Sequence, residues 1–339
     1  MGSPMRGEFE WIRRIRESAR RFAPELVVGI GDDAAILKRS PGKWWLVTTD
    51  ALIEGVHFRR EYAPAHLLGQ KALAVNLSDI AAMGGQPRFF VLSLAVPGDL
   101  EEAYLEDFLA GILAAADRYA TVLIGGNLAA SPSGLAITVT LIGECAAHRA
   151  VRRDGAMPGE LICVTGQLGL SALGLRLLSE GYRLSDQLCE RARRPILAHL
   201  APEPRVSLGR YLAEAGLARA MIDLSDGLSQ DLLHLCEESR VGAVISAEAL
   251  PIVAEAMDFG ADPLELALHG GEDYELLFTL REEEAVRLEE ARARFPDLPV
   301  TCIGRTTGEA GQVYLERAGH RERLLPRGYD HFRARTLTG

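Results

Sequence analysis

Five short stretches set acids among glycines, serines and threonines: GIGDDAAIL, VTTDALI, NLSDIAAMGG, IDLSDGL and GGEDYELLF. The acids are Asp32, Asp33, Asp50, Asp79, Asp223, Asp226, Glu272 and Asp273. Any one of them alone reads as a turn residue or a helix N-cap, because Asp after Gly is common in turns. Their recurrence argues for more. They fall where apolar strands end or helices begin, so a chain that buries these segments must bring carboxylates together. Unpaired carboxylates repel one another and are costly to desolvate. Hard divalent cations remove that cost, since Mg²⁺ prefers oxygen ligands and bridges carboxylates to phosphates. Two acids in a Gly-x-Gly loop then make chemical sense: the acids hold the metal, and the metal holds phosphate.

The remaining composition narrows the field. A chain of 339 residues favours two domains. With 48% hydrophobic and 25% charged residues it is an ordinary globular sequence. A formal net charge of -10 gives no support to a nucleic-acid partner. The eight histidines are scattered without ligand spacing, which disfavours a transition metal. Cys145, Cys163, Cys189, Cys236 and Cys302 form no C-x-x-C pair, so neither a disulfide framework nor a zinc site is expected. No apolar run approaches the ~20 residues that cross a bilayer. The leading MGSPMRGEFEWIRRIRES has no apolar signal core. A cytoplasmic protein with no membrane partner is the expectation.

Familiar nucleotide motifs are missing. The nearest approach to a P-loop, Gly69-Gln70-Lys71-Ala72, lacks the first glycine and the hydroxyl. There is no D-F-G and no G-x-S-x-G. Gly29, Gly31 and Ala34 fit G-x-G-x-x-A, but acids in that loop would meet a dinucleotide pyrophosphate with no metal between them.

Periodicity and turn residues predict helices over 8–22, 64–82, 100–119, 171–180, 207–215 and 282–295. Strands are predicted over 34–37, 44–49, 89–96, 121–124, 135–144, 161–165, 243–246, 275–280 and 300–305. Asp50 closes an apolar strand, Arg194-Pro195 reads as a loop, and Asp223 and Asp226 are spaced to share a helix face. A polar, turn-rich junction near Ala150 divides residues 1–149 from 150–339. The pattern indicates α/β or α+β layering.

GIGDDAAIL, VTTDALIEGVHF, KALAVNLSDIAAMGG, IDLSDGLSQDL, GGEDYELLF and the late GYDHF, taken in order, resemble the thiamine-monophosphate kinase family. That family shares a superfamily with aminoimidazole ribonucleotide synthetase, selenophosphate synthetase and a hydrogenase maturation protein. The resemblance runs from Gly7 to Phe332. It implies a two-domain α/β (α+β) fold, with an N-terminal mixed-sheet domain that binds ATP and dimerises and a C-terminal α/β domain that completes the cleft. It implies a homodimer that moves the γ-phosphoryl group of ATP onto thiamine monophosphate, using several Mg²⁺ ions. Matched by motif, Asp33, Thr48, Thr49, Asp50, Asp79, Asp223 and Asp226 correspond to metal ligands, with Asn127 at a further metal position. Tyr104, Gly126, Asn127, Arg153 and Ser225 correspond to nucleotide contacts, and His57, Glu272 and Tyr329 to thiamine-phosphate contacts. One departure stands out. Gly125-Gly126-Asn127-Leu128-Ala129-Ala130 replaces the family's G-G-D-T-T or G-G-D-T-S, removing one charge and the hydroxyls that follow it.

A phosphate acceptor is already anionic, so no general base is expected and none is assigned. The obstacle is repulsion between two polyanions, which metal ions and Arg153 would relieve. Two alternatives stand beside this reading: another ATP-using synthetase of the superfamily, or a nucleotide or thiamine-phosphate binder without turnover. Selenophosphate synthetases carry a reactive Cys or selenocysteine near the N-terminus, whereas the first cysteine here is Cys145.

Overall fold

A computed structural model describes residues 8–18 and 23–332. The first half contains β1 (Leu26–Val28), β2 (Ala35–Ser40), β3 (Lys43–Ile53), β4 (Gln86–Pro97), β5 (Val122–Ser131) and β6 (Ala136–Ala146). These form one sheet in the order β1-β2-β3-β6-β4-β5, antiparallel except between β4 and β5. Its helices are α1 (Glu8–Ser18), α2 (Ala65–Ala82) and α3 (Glu102–Arg118).

The second half contains β7 (Leu161–Thr165), β8 (Ala220–Asp223), β9 (Gly242–Ser246), β10 (Leu276–Leu280), β11 (Val300–Thr307), β12 (Val313–Arg317) and β13 (His320–Arg323). The order is β13-β12-β9-β11-β7-β10-β8, with only β12 and β9 parallel. Around this sheet lie α4 (Leu170–Ser179), α5 (Glu190–Leu200), α6 (Val206–Glu214), α7 (Leu228–Ser239), α8 (Pro263–His269) and α9 (Ala285–Arg294). The chain thus adopts the expected mixed α/β organisation around two sheets.

Strand period and helix burial set how the halves meet. Along β3, Leu46, Thr48 and Leu52 are buried while Thr49, Ala51 and Ile53 are exposed, the alternation of a sheet with one covered face. On β6, Ile137, Val139 and Leu141 repeat the pattern. The cover is α2, whose residues are buried on every side apart from a few positions. A helix apolar all round must be enclosed, and α2 packs on β3, β6 and α3 and also on α5, α6 and β8. The helix therefore runs between the two halves. Close approach needs small residues: a Cβ on Gly111 would lie 1.9 Å from the His66 carbonyl oxygen, and one on Gly69 2.2 Å from that of Phe108.

Several expectations change. The predicted helix over 8–22 is described as far as Ser18, and Phe22 lies outside the described residues. Asp50 is inside a strand, because β3 continues to Ile53 against β6. The predicted strand 121–124 runs to Ser131, so Gly125, Gly126 and Asn127 belong to an edge strand and not to a loop. Parallel pairing with β4 supplies their backbone partners, and Gly126 fits closely enough that a Cβ would sit 1.8 Å from the Leu92 oxygen. Pro195 lies inside α5 and not in a loop. It costs that helix one backbone hydrogen bond, offset by burying Ala192, Pro195, Ile196, His199 and Leu200. Asp223 ends β8 and Asp226 precedes α7, so they share no helix face. The cysteines Cys163 and Cys302, far apart in sequence, are register partners on β7 and β11 with sulfurs 2.7 Å apart. No described helix is long and apolar enough to cross a membrane.

Because backbone atoms of α2 and α3 leave no room between them, Gly111→Ala should destabilise the fold by about 1–3 kcal/mol. Gly98→Ala, with nothing within 4 Å of its Cβ, should be near neutral. Thermal unfolding of the two variants compares them; equal midpoints would contradict this helix contact.

Candidate active site

Three carboxylate-bearing segments from both halves converge beside the glycine loop at 29–31. Asp33 follows that loop, Asp79 projects from α2, and Asp223 ends β8. One carboxylate oxygen from each lies within 4.8 Å of the others. Ser78, also on α2, donates to Asp223 Oδ2 at 2.6 Å, and Thr48 on β3 donates to Asp79 Oδ2. The offsetting cation is Arg153, which grips Asp33 with two bonds, Nε to Oδ2 at 3.1 Å and Nη2 to Oδ1 at 2.8 Å. A planar guanidinium suits such a bidentate pair. Burial works against the Arg153 charge, but Asp33 overcomes it and holds the group above its ordinary value.

The acids report the imbalance. Burial, then the charges of Asp50, Asp223 and Asp33, raises Asp79 well above the usual carboxylate range. Burial and then Asp33 do the same to Asp223. Burial pushes Asp50 up to about 6, against a hydrogen bond to Asp79. Asp226 is pushed up to about 7, first by burial and then by Glu8. Asp32 reaches about 8 through burial and its neighbour Asp33. Buried carboxylates in excess of cations, with an all-oxygen donor set, match a site for a hard divalent ion.

A cleft of about 920 Å³ opens beside the cluster. Asp50, His57, Ser225, Asp226, Glu272 and Tyr329 line it, with Val56, Val75, Ala172 and Leu175 as apolar walls. His57 Nδ1 accepts from the Ile53 N–H at 2.9 Å, and its Nε2 lies 3.4 Å from His331 Nε2. Burial, then His331, lowers His57 to about 4, so the ring is neutral near pH 7 with its proton on Nε2. The Tyr329 ring stands edge-on to His331 at 4.8 Å. Its backbone N–H donates to the Asp226 oxygen at 3.2 Å, fixing the C-terminal segment over the cleft.

The chain does not bring every expected residue here. Thr49 faces the opposite side of the first sheet from Thr48, bonding Thr140 Oγ1 at 2.9 Å and the Val139 carbonyl at 3.1 Å. Asn127 is paired with Ser93, Ser93 with Thr138 and Thr138 with Ala51, so Asn127 lies three strands from β3, roughly 14 Å along the sheet. Gly126 is beside it. Tyr104 donates its hydroxyl to the Ala63 carbonyl at 3.1 Å, away from the cleft lining. Asp231 went unnoticed in the sequence. It is buried on α7, and its Oδ2 accepts from the N–H groups of Asp226 at 3.1 Å and Gly227 at 3.0 Å, shaping the loop that carries Asp226. Its place five residues after Asp226, at the start of a helix, was the available signal.

Comparison with known proteins fits this geometry. Residues 31–145 match the family profile of the AIR synthase related protein N-terminal domain, and residues 157–316 match that of the C-terminal domain. The chain is 40% identical over 329 residues to the thiamine-monophosphate kinase of Escherichia coli, covering 96% of this chain and 98% of the relative. It is 38% identical over 307 residues to the thiamine-monophosphate kinase of Bacillus subtilis, covering 90% and 94%. A solved structure of AaThiL complexed with AMPPCP and TMP superimposes with a TM-score of 0.83 at 36% identity, covering 97% of this chain and all of that one.

The raised acids fix the pH response of metal-free protein. Unfolded Asp titrates near 3.9, below the folded values of about 6, 7 and 8 for Asp50, Asp226 and Asp32. Between those limits the folded chain binds more protons than the unfolded one, so stability falls as pH rises. With EDTA present, the melting temperature should decline from about pH 5 to about pH 8. Excess Mg²⁺ should restore several degrees at pH 8 and less at pH 5.5, where protons compete. A larger gain at pH 5.5 would contradict the cluster as a cation site.

Proposed function

The chain belongs to the thiamine-monophosphate kinase family, and from that premise we propose that it transfers the γ-phosphoryl group of ATP to thiamine monophosphate, giving thiamine diphosphate and ADP. The observation that carries this reading is the convergence of Asp33, Asp79 and Asp223 from both halves of the chain, beside a cleft lined by His57, Glu272 and Tyr329. The donor set supports Mg²⁺, with Asp33, Thr48, Asp50, Asp79, Asp223 and Asp226 as its holders. When bound, such ions screen the repulsion between the two polyanions and align them.

The chain's own residues divide the remaining work. Arg153, held by Asp33, presents a fixed positive charge beside the acids and the Ser225 loop, where we place the nucleotide phosphates. His57, neutral with its proton on Nε2, offers a donor to the acceptor phosphate. Tyr329 offers an aromatic face to the flat, cationic ring of the substrate. No side chain needs to remove a proton, because the attacking phosphate oxygen is already anionic. The left-handed turn at Glu272 and the C-terminal segment from Arg327 to His331 form walls of the cleft.

We also propose a homodimer. On β5 nearly every residue is exposed, including Val122, Ile124 and Leu128, and an uncovered edge of this length invites a partner. Thr49 and Asn127 share the outer face of that sheet. With a second copy against that face, we place nucleotide-site roles for Thr49, Gly126 and Asn127 there; Tyr104 lies on the α2 side of the sheet, its hydroxyl taken up by the Ala63 carbonyl. We place the domain division near Ala150, between β6 and β7, and the protein in the cytoplasm, in keeping with its free cysteines and nucleotide co-substrate.

An assay of ADP formation with thiamine monophosphate as acceptor tests the reading. Steady turnover is expected. ADP formation only with other acceptors would favour a synthetase, and saturable binding without turnover would favour a sensor. Asp50→Asn and Asp226→Asn should each lower kcat by about a hundredfold, about 2.7 kcal/mol of charge stabilisation, with far-ultraviolet circular dichroism unchanged. Asn127→Asp should raise turnover or Mg²⁺ affinity if β5 serves the nucleotide site.

A further inference from the structure

Lys71 is the seventh residue of α2 and is 2% exposed, a rare setting for a lysine without a partner. Its Nζ lies 2.7 Å from Glu272 Oε1. The contact is an ion pair: no acceptor among the described residues, Glu272 included, meets that nitrogen in hydrogen-bond alignment. The second carboxylate oxygen, Oε2, is 3.3 Å from His199 Nδ1 on α5, and that nitrogen is 3.0 Å from Ser171 Oγ on α4. The Glu272 carboxylate is therefore held by side chains from α2 and α5, while 23% of its side chain still faces the cleft.

The backbone fixes the same group. Glu272 has φ 67° and Tyr274 φ 50°, left-handed values that non-glycine residues adopt only when their surroundings over-determine them. The Glu272 N–H donates to the Ser225 oxygen at 2.8 Å, and the Tyr274 N–H donates to the Leu224 oxygen at 2.9 Å. Asp273 between them accepts from the N–H groups of Gly169 at 2.6 Å and Ser171 at 3.0 Å. Side chain and main chain are both pinned, and the pinned group faces the substrate space.

We propose that Lys71 is a positioning residue for substrate selection: it holds the Glu272 carboxylate ionised and aimed into the cleft, where that carboxylate accepts a hydrogen bond from a neutral N–H donor on the acceptor's ring, such as the exocyclic amine of an aminopyrimidine. The inference rests on thiamine monophosphate being the acceptor. Because Lys71 already balances the charge of Glu272, this carboxylate recognises a hydrogen-bond donor and is not a free counter-ion for a cationic ring. Each oxygen engaged by Lys71 or His199 keeps a second lone pair for that bond. Burial alone would raise Glu272; Lys71, then His199 and His57, reverses the shift and keeps it below its ordinary value. Tyr62 and Tyr274 are the other titratable groups electrostatically linked to Glu272.

The test measures KM and kcat for thiamine monophosphate from pH 5.5 to 8.5. Wild-type turnover comes first, since its absence would sink the assigned acceptor and not this inference. Glu272→Gln should raise KM about tenfold while kcat changes much less. Lys71→Met with Glu272→Gln should show a KM no higher than Glu272→Gln alone, because Lys71 acts through Glu272. Lys71→Arg, which keeps the charge, should fall between wild type and Glu272→Gln. In Lys71→Met alone, the ratio of its KM to that of wild type should climb as pH falls and Glu272 takes up a proton; the ratio cancels the titration of the substrate phosphate and of the acidic cluster, which both enzymes share. A further tenfold loss in the double variant, or a ratio that does not change with pH, overturns the proposal. Should Lys71→Met fail to fold, the double variant, which removes both charges of the buried pair, decides it against Glu272→Gln.

Discussion

Three carboxylates that nearly touch, under-compensated by one guanidinium, form the constraint around which this molecule is arranged. Asp33, Asp79 and Asp223 come from a loop, a buried helix and a strand end, and their oxygens crowd within 4.8 Å of one another. Two charges at such separations repel strongly wherever water is excluded. The upward shift of Asp79 and Asp223 in the metal-free chain marks a charge deficit that suits a bound cation. The hydroxyls of Ser78 and Thr48 soften the cost but add no charge.

The helix α2 makes the arrangement possible. It carries Ser78 and Asp79 toward the acidic cluster and Lys71 toward Glu272, eight positions and about 12 Å earlier along its axis. Because it is enclosed by both halves of the chain, a polar residue on it has no solvent to turn to. Two of them meet partners from the other half, Ser78 with Asp223 and Lys71 with Glu272, while Asp79 is bonded by Thr48 and Asn76 by the helix's own Ala72 carbonyl. The close contacts at Gly69 and Gly111 hold α2 at a fixed height against α3. Rigid backbone packing thus sets the spacing between the two ends of the cleft.

Much of this was legible in the sequence, for reasons that differ by residue. Most strands, the helices α2 and α3 and the convergence of acids follow from period, turn chemistry and the cost of burying charge, all local or additive signals, whereas β1, β8, β12, β13, α5 and α7 were not predicted. What escaped depended on partners distant in sequence. Gly125 to Asn127 look like a loop until β4 supplies parallel hydrogen bonds. Pro195 looks like a helix breaker until burial against neighbouring elements outweighs one lost bond. Thr49 seemed to act with Thr48 and Asp50, yet strand alternation sends it to the other face. Lys71 opens the KALAVNLSDIAAMGG stretch but drew no role there, His199 carried no motif, and only tertiary packing brings them to Glu272.

The cleft is consequently asymmetric in charge, and that asymmetry matches a substrate that is itself divided. At one end the acids exceed the cations, the charge balance that the proposed metal ions and their phosphates would meet. At the other end Lys71 cancels Glu272, His57 is neutral, and Val56, Val75, Ala172 and Leu175 supply apolar wall. A group bound there gains from shape, aromatic contact and a directed hydrogen bond, not from net attraction. Had Glu272 been left unbalanced, the ring end would also draw divalent cations and compete with the phosphate end for them. On the proposed reading, a lysine beneath Glu272 would keep one end of the cleft for metal and the other for an organic ring, and so orient the bound molecule before any bond changes.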